Sequence, residues 1–374
     1  MTCDGRPIMI LAGGTGGHVY PALAVARQLR DWGHEVVWMG TRKGLEARIV
    51  PASGIPIAWL SVSGLRGKGV LAWLLAPAQL AIAISQALSI VWRLKPRAVL
   101  GMGGFVAGPG ALVSLALGKP LVIHEQNALA GLTNRWLAPF ASRVLMGFPN
   151  TFGREDAIFI GNPVRREIAA IPPPEQRLAD RRGRLRLLVL GGSLGAKRLN
   201  DVLPETLARV PLPQRPEVWH QAGGGLIDAA IRSYRAVGVE ARIDAFIEDM
   251  AAAYAWCDLV ICRAGALTIA ELAAAGAGAI LVPYPHAVDD HQSANARFLT
   301  EAGAALAVRN EDLDASRLTR LLEPFLSGGV DRTRLQEMAR AARRKGCFDA
   351  AEQAARSCLE VAALSAACRN ERPS

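Results

Sequence analysis

Two familiar phosphate-binding signatures are missing from this chain, and so are CxxC spacing and any cysteine/histidine cluster. A dinucleotide fingerprint needs GxGxxG, but after Gly14 and Gly16 the next required position is Val19. The acid expected at the end of the second strand is absent as well, since residues 40–43 read GTRK. A P-loop needs GxxxxGK[ST], and Lys197 is preceded by Ala196 and followed by Arg198. The six cysteines are Cys3, Cys257, Cys262, Cys347, Cys358 and Cys368. No two are spaced CxxC, and none clusters with histidine, so reduced thiols are expected rather than zinc or a disulfide framework. The DxD pattern occurs once, at Asp312 and Asp314, after a late strand and outside every glycine turn. It reads as a helix start or a solvated loop, so no metal and no other cofactor is expected.

Zinc-finger spacing, RNA-recognition signatures and basic zippers are also lacking. That matters because the net charge is +10 and the isoelectric point about 9.8. Such a balance favours acidic partners. With nucleic acid set aside, phosphorylated substrates and an anionic membrane surface are left. The chain runs directly into a strand-like segment at 8–12, so a cleaved signal peptide is not expected. Charge is absent altogether from 69–92, a length within the membrane-spanning range. Pro77 interrupts that stretch, and Gln79, Ser85, Gln86 and Ser89 fall on one side of it. Leu80, Ile84, Leu88 and Val91 fall on another at helical spacing, so a short apolar entry followed by a core-packed helix is expected rather than a span.

What is present is a large apolar fraction, 51%, against 20% charged residues, enough for a sizeable core over 374 residues and two domains. The 37 glycines and 22 prolines suit many tight βα turns. Strand-like apolar runs at 8–12, 35–39, 98–101, 120–124 and 144–146 alternate with helical patterns. The second half repeats the alternation at 186–190, 217–220, 241–244, 259–262 and 279–282. Continuous apolar strands between helices imply α/β architecture with parallel sheets covered on both faces. The halves also open alike, MILAGGTGGH at 9–18 and LLVLGGSLGA at 187–196. A duplicated strand and glycine-rich turn implies two Rossmann-like domains. Prolines at 172–174 and the basic run at 176–186 read as the linker. A last helical stretch near 346–367 can pack on either domain.

Glycine-rich βα turns bring backbone amides close to phosphate and aim a helix N-terminus at it. Gly13–Gly17 and Gly191–Gly195 are therefore candidate phosphate sites, although such turns also serve plain helix-on-sheet packing. His18 closes the first turn at a helix N-terminus. An uncharged imidazole there suits general-base work, and a cap or phosphate contact is the alternative. Residues 261–271 read ICRAGALTIAE, a strand, a turn and a helix start. The amides of 265–268 could bind a diphosphate. Glu271 could accept hydrogen bonds from a ribose diol, or simply stabilise the helix dipole as a first-turn acid.

A set of ordered motifs then becomes specific: GGTGGH (13–18), SGLRGKG (63–69), GMGGFVAGPG (101–110), HEQN (124–127), GLTN (131–134), GNPVR (161–165), GGSLGA (191–196), FIEDMAAAYAWCD (246–258), GALTIAE (265–271) and DDHQSANA (289–296). On these the chain resembles the bacterial MurG family, the N-acetylglucosaminyltransferases of peptidoglycan synthesis. The resemblance implies the GT-B fold, two Rossmann-like domains with parallel sheets facing an interdomain cleft. Residues 1–163 would form the acceptor and membrane-associating domain and 164–345 the UDP-N-acetylglucosamine-binding domain. Residues 346–374 would be a C-terminal helix and tail able to pack back on the first. Donor residues implied are Ser193, Ile247, Ala266, Leu267, Thr268, Ile269, Ala270, Glu271 and Gln292 from the second domain and Arg165 at the hinge. Thr15, Gly16, Gly17 and Asn127 would complete the pocket from the first. Uracil would lie against the backbone near Phe246 and Ile247, Ser193 and the amides of 266–268 would hold the diphosphate, and Gln292 would read sugar hydroxyls. His18 and Glu125 would be the catalytic acid/base candidates.

The implied reaction moves N-acetylglucosamine, with inversion, from UDP to the C4 hydroxyl of the muramyl sugar in undecaprenyl-pyrophosphoryl-MurNAc-pentapeptide, taking lipid I to lipid II. Cell-wall biogenesis, cell shape and cell division follow as the implied processes. The implied location is the cytoplasmic face of the inner membrane, held peripherally, with cell-wall synthesis proteins as further partners. The apolar cluster Val70, Leu71, Trp73, Leu74 and Leu75, flanked by Arg66, Lys68, Arg93, Lys95 and Arg97, would form the anchor. Phe105, Ala264 and His291 depart from the family pattern of tyrosine, serine and glutamine. The readings to be separated are another lipid-directed GT-B transferase, a UDP-N-acetylglucosamine epimerase of shared architecture, and a non-catalytic sugar-nucleotide sensor.

Overall fold

The computed structural model describes residues 5–62, 70–192, 195–285, 290–326 and 332–370; side chains are described over the same ranges except 70–75, 369 and 370. The donor candidate Ser193, the SGLRGKG motif and the side chains of the cluster from Val70 to Leu75 lie outside the described residues. The chain divides into two units, 1–165 with 348–374, and 166–347.

The first unit runs β1 (Ile8–Leu11), α1 (Gly16–Asp31), β2 (Val36–Gly40), α2 (Glu46–Ala52), β3 (Ile57–Trp59), α3 (Val70–Leu94), β4 (Ala98–Gly101), α4 (Ala107–Ala116), β5 (Leu121–Glu125), α5 (Leu132–Leu137), β6 (Arg143–Met146) and β7 (Ala157–Phe159). The strands form one parallel sheet in the order β3-β2-β1-β4-β5-β6-β7. Alternate residues of β1 face opposite layers. Ile8 and Ile10 pack with Trp38, Leu100 and α1, whereas Met9 and Leu11 pack with Val37, Met39, Val99 and the helices α3 and α4. Each such fully buried aliphatic side chain contributes about 1.5–3 kcal/mol.

The second unit runs α6 (Arg166–Ala169), α7 (Pro174–Arg177), β8 (Arg186–Leu190), α8 (Lys197–Ala208), β9 (Glu217–Gln221), α9 (Ile227–Ala236), β10 (Arg242–Asp244), α10 (Met250–Trp256), β11 (Leu259–Cys262), α11 (Ala266–Ala275), β12 (Gly278–Leu281), α12 (His291–Thr300), β13 (Ala305–Ala307), α13 (Ala315–Leu326) and α14 (Arg332–Arg344). Its parallel sheet is ordered β10-β9-β8-β11-β12-β13. Leu187, Val189, Leu259 and Ile261 meet Leu199 and Leu203 of α8 and Leu318, Leu322 and Phe325 of α13. The final helix, α15 (Ala350–Asn370), belongs to the first unit. Its small-residue face, Ala354, Ala355, Cys358 and Ala362, joins the core layer under α1.

In each sheet the strand order reverses once, between β1 and β4 and between β8 and β11. The carboxyl ends of strands at such a switch point are where open α/β sheets receive ligands. Gly13–Gly17 and residues 101–105 lie at the first such point. Residues 191, 192, 195, 196 and 263–268 lie at the second.

Three expectations need correction. Residues 172–186 are no free linker: α7 and the following turn are part of the second unit. Arg177 donates to the carbonyls of Cys257 at 2.9 Å and Gly276 at 2.7 Å, and Arg181 to that of Trp256 at 2.8 Å. These guanidiniums satisfy carbonyls that the C-terminal ends of α10 and α11 leave unpaired. Second, α3 is a single helix that carries Pro77 within it rather than breaking there. Third, its core face is Ala83, Ala87, Ile90 and Val91, while Leu80 and Leu88 are exposed. Ala87, Ile90 and Val91 join Ala107 and Ala111 of α4 in one core layer, and Leu80 and Leu88 face out of it. Among the described residues no helix is long and apolar enough to cross a membrane.

Candidate functional site

The first glycine turn is built on a buried carboxylate. Glu46 accepts hydrogen bonds from Gly14 N at 3.0 Å, Thr41 N at 3.0 Å and Thr41 Oγ1 at 2.8 Å. It is fully buried, and a Cβ on Gly13 would stand 2.6 Å from its Oε1. The Gly14 amide is therefore already engaged, and a carboxylate lies behind the turn. That weakens the expectation that this turn receives phosphate through Gly14. Thr15 is the N-cap of α1 yet makes no side-chain capping bond, so its exposed hydroxyl is not used by the helix. Gly16 and Gly17 start the helix, where amides have no intrahelical acceptor.

His18 follows in the first turn of α1. Its Nδ1 lies 2.9 Å from Gln126 Oε1. Gln126 Nε2 lies 3.0 Å from His124 Nδ1, and His124 Nε2 lies 2.9 Å from the carbonyl of Gly161. Burial pushes the His124 imidazole down to about 4, so it is uncharged at neutral pH. Gly103 adopts a φ of +83°, and a Cβ there would come within 3.1 Å of the His18 ring. Two features thus require glycine at 103, the backbone conformation and the approach of the ring.

Glu125 departs from the expectation of a free acid or base. Its Oε1 accepts from Asn127 N at 3.0 Å and Asn127 Nδ2 at 3.2 Å. Its Oε2 accepts from Gly131 N at 3.0 Å and Asn134 Nδ2 at 2.8 Å. Four donors fill the four lone-pair sites of the carboxylate. The group is buried and shapes the loop from 126 to 131, including Asn127. Arg165 places its guanidinium 5.4 Å from the centre of the Tyr20 ring on α1, a cation–π contact beside the first turn.

In the second unit, Gly195 has a φ of +79°, and a Cβ there would stand 2.3 Å from the carbonyl oxygen of Ala222. Gln221 Nε2 donates to the carbonyl of Gly192 at 2.9 Å. Helix α11 starts after Gly265 with no side-chain cap, which leaves the amides of Ala266, Leu267 and Thr268 at its N-terminus. Ile269 bonds back to Gly265 O, so its amide belongs to the helix. Glu271 stands in the second turn, not the first, and is buried. Its Oε2 accepts from the Tyr254 hydroxyl at 3.2 Å, so it is not a solvated first-turn dipole acid. Gln292 Oε1 accepts from Ala264 N at 3.2 Å and Tyr284 N at 2.9 Å, which fixes the amide and turns its Nε2 away from these two bonds. Ile247 is buried, so its backbone is what it offers, and Phe246 beside it is exposed. Asp314 Oδ1 accepts from Arg317 N at 2.7 Å and caps α13.

Sequence reasoning did not single out Glu46, His124, Gln126 or Asn162. The signal for Glu46 was the pair Gly40 and Gly44, which stand against its side chain. Gln126 and His124 lay inside HEQN, where their neighbours drew the attention.

Two doubly wound parallel sheets, the second with an uncapped helix N-terminus at its switch point, are the architecture of GT-B glycosyltransferases. Comparisons with known proteins are specific. The Glycosyltransferase family 28 N-terminal domain matches residues 8–146, and the family 28 C-terminal domain matches 186–354. A protein of Nitrosococcus oceani is 55% identical, over 95% of this chain and 98% of its own length. One of Alkalilimnicola ehrlichii is 54% identical, over 95% and 99%. Both are UDP-N-acetylglucosamine–N-acetylmuramyl-(pentapeptide) pyrophosphoryl-undecaprenol N-acetylglucosamine transferases. The crystal structure of Acinetobacter baumannii MurG superposes with a TM-score of 0.81 at 39% identity, covering 95% of this chain and 99% of that one. The chain belongs to the MurG family.

Proposed function

We infer that this chain transfers N-acetylglucosamine from UDP-N-acetylglucosamine to the C4 hydroxyl of the muramyl sugar in undecaprenyl-pyrophosphoryl-MurNAc-pentapeptide, lipid I to lipid II. The observation that carries this reading is the 55% identity along 95% of the chain with a relative of that activity. The second unit holds the donor. Amides of Ala266, Leu267 and Thr268 meet the diphosphate, with Ser193 from the second glycine turn. Glu271 accepts from the ribose, Gln292 donates to sugar hydroxyls, and the backbone at Ile247 receives the uracil. Ile269 and Ala270 carry the helix that presents these groups.

The first unit supplies Thr15, Gly16, Gly17, Asn127 and His18. As the acceptor oxygen bonds to the anomeric carbon, the bond from that carbon to the UDP oxygen breaks. Its electron pair leaves with UDP, and the hydroxyl proton passes to His18. Helix N-terminal amides and Arg165 stabilise the charge on the departing diphosphate. Glu125 contributes by holding the Asn127 loop rather than by moving a proton.

The protein docks peripherally on the anionic cytoplasmic face of the inner membrane, where a prenyl-linked acceptor resides. Support beyond the sequence comes from Leu88 and Trp92 on α3, Leu112 on α4, and Leu132, Trp136 and Phe140 on or beside α5. All are exposed, at 45–71% of their surface. Exposed Arg93, Lys95 and Arg135 stand among them in sequence. Apolar side chains with cations beside them suit an interfacial anchor. Measuring UDP release from UDP-N-acetylglucosamine with and without a prenyl-linked acceptor separates the readings. A transferase releases UDP only with the acceptor; an epimerase and a sensor release none, and of those two only the epimerase converts the donor to an epimeric UDP-sugar.

A further inference from the structure

We propose that Gln126 and His124 are positioning residues: through a relay from the Gly161 carbonyl they place the His18 proton on Nδ1 and leave Nε2 as the basic nitrogen. The inference rests on the reading of His18 as the base, and deepens it by saying which nitrogen acts and what fixes it.

The argument starts at an atom with no choice. The Gly161 carbonyl can only accept, so His124 Nε2, 2.9 Å away, must carry a hydrogen. His124 is completely buried and uncharged, so its other nitrogen, Nδ1, is bare. A bare nitrogen needs a donor. The group 3.0 Å from it must then be the Gln126 amide nitrogen, which also donates to the His124 carbonyl at 3.2 Å. That turns Gln126 Oε1 toward His18. An amide oxygen only accepts, so His18 Nδ1, at 2.9 Å, must be the protonated nitrogen. In an uncharged ring Nε2 is then the proton acceptor.

The relay is anchored at each joint. Asn162 Nδ2 donates to the Gln126 carbonyl at 2.9 Å and holds the main chain of the central residue. Asn134 Nδ2 bonds the His124 carbonyl at 3.3 Å. Gly161 N donates to Met146 O at 3.1 Å and fixes the starting carbonyl on the end of β6. Gly103 closes on the His18 ring from another side. During transfer, Nε2 takes the acceptor proton, and Gln126 Oε1 accepts a stronger hydrogen bond from Nδ1–H of the resulting imidazolium. Neither Gln126 nor His124 touches substrate in this account. Both act through His18.

Nitrogen-15 spectra of the imidazoles test the inference on the intact wild-type protein, with a His18→Gln variant assigning the signal. A protonated Nδ1 and bare Nε2 on His18 near neutral pH are expected, and the reverse tautomer overturns the relay whether or not the protein transfers sugar. Absence of transfer by the wild type would instead overturn the activity. For the kinetic arm, Gln126→Leu removes the acceptor. It should lower kcat about tenfold or more with little change in KM for UDP-N-acetylglucosamine. Gln126→Glu restores an acceptor to Nδ1–H. It should recover part of kcat and move the acidic limb of the kcat profile to higher pH, because a carboxylate favours the imidazolium. A Gln126→Leu protein with wild-type kcat and pH profile would overturn the proposal, as would equal kcat and profiles for the Leu and Glu variants.

Discussion

Replacing Glu46 with glutamine should destabilise the first unit and leave UDP binding intact. The wild-type carboxylate receives three donors, Gly14 N, Thr41 N and Thr41 Oγ1, at 2.8–3.0 Å in a fully buried position. A glutamine keeps one oxygen. With that oxygen toward the two Thr41 donors, its NH2 confronts the Gly14 N–H, donor against donor. The loss is one charge-assisted hydrogen bond plus an unsatisfied amide, about 2–4 kcal/mol together. For a unit of this size the melting temperature should fall by about 5–15 °C. Glu46→Gln and wild type would be compared by scanning calorimetry, and their UDP affinities by titration calorimetry. The expected result is a lower first-unit transition with unchanged affinity, since most of the proposed donor residues lie in the second unit. A melting temperature within about 1 °C of wild type would refute the claim that this carboxylate holds the turn. Tighter UDP binding in the variant would show that the first turn receives phosphate and that the carboxylate opposes it.

His18→Ala should lower kcat by about 10²-fold or more while UDP affinity is retained; lost affinity with normal turnover of bound donor would make the ring a phosphate-side cap. Glu271→Ala should weaken UDP binding by about 1–3 kcal/mol, and Tyr254→Phe by less; unchanged affinity by calorimetry would remove Glu271 from the donor site. Burial lowers the imidazoles of His124 and His220 to about 4 in the folded chain from an ordinary 6.5. Both are neutral in either state above about 6.5; below it the unfolded chain takes up protons first, so stability is lost as pH falls from about 6.5 to about 4. Each histidine contributes on the order of 3 kcal/mol to that loss at the acid end, and urea unfolding with the same midpoint at pH 7.5 and pH 4.5 would contradict it. Binding to anionic vesicles should fall in high salt and in a Leu132→Ser/Trp136→Ser variant; a folded variant that co-sediments as fully as wild type would move the docking face elsewhere.

The interior strands were legible because a strand buried on both faces writes a continuous apolar run, as at Ile8–Leu11 and Leu259–Cys262. β3 and β7 were not. Each is three residues long at a sheet edge, with half-exposed or exposed side chains, so no run marks it. The basic stretch around Arg177 and Arg181 read as a solvated linker because charge alone does not reveal that helix carbonyls await it. The inward face read for α3 was half right: Val91 is buried and Ile84 packs against the core, but Leu80 and Leu88 are exposed. Ala83 and Ala87 are buried beside Ile90 and Val91, and a pattern weighted by side-chain size points to Leu80 and Leu88 in place of the alanines. Of the candidate site residues, the glycine turns, His18 and Glu271 could be picked out from spacing. The role of Glu125 could not, because its four donors come from Asn127, Gly131 and Asn134, and only the folded loop brings them to one carboxylate. The relay from Gly161 to His18 joins residues up to 143 positions apart, so no local pattern carries it.

Acceptor-dependent transfer of one sugar can be measured directly. Purified protein would be incubated with UDP-N-acetylglucosamine and undecaprenyl-pyrophosphoryl-MurNAc-pentapeptide, and the lipid product analysed by mass spectrometry and by NMR of the new linkage. The account predicts gain of one N-acetylhexosamine per lipid, joined to C4 of the muramyl sugar with inverted anomeric configuration, and UDP released in equal amount. Retained configuration, linkage at another hydroxyl, or UDP released as readily without the lipid would contradict it.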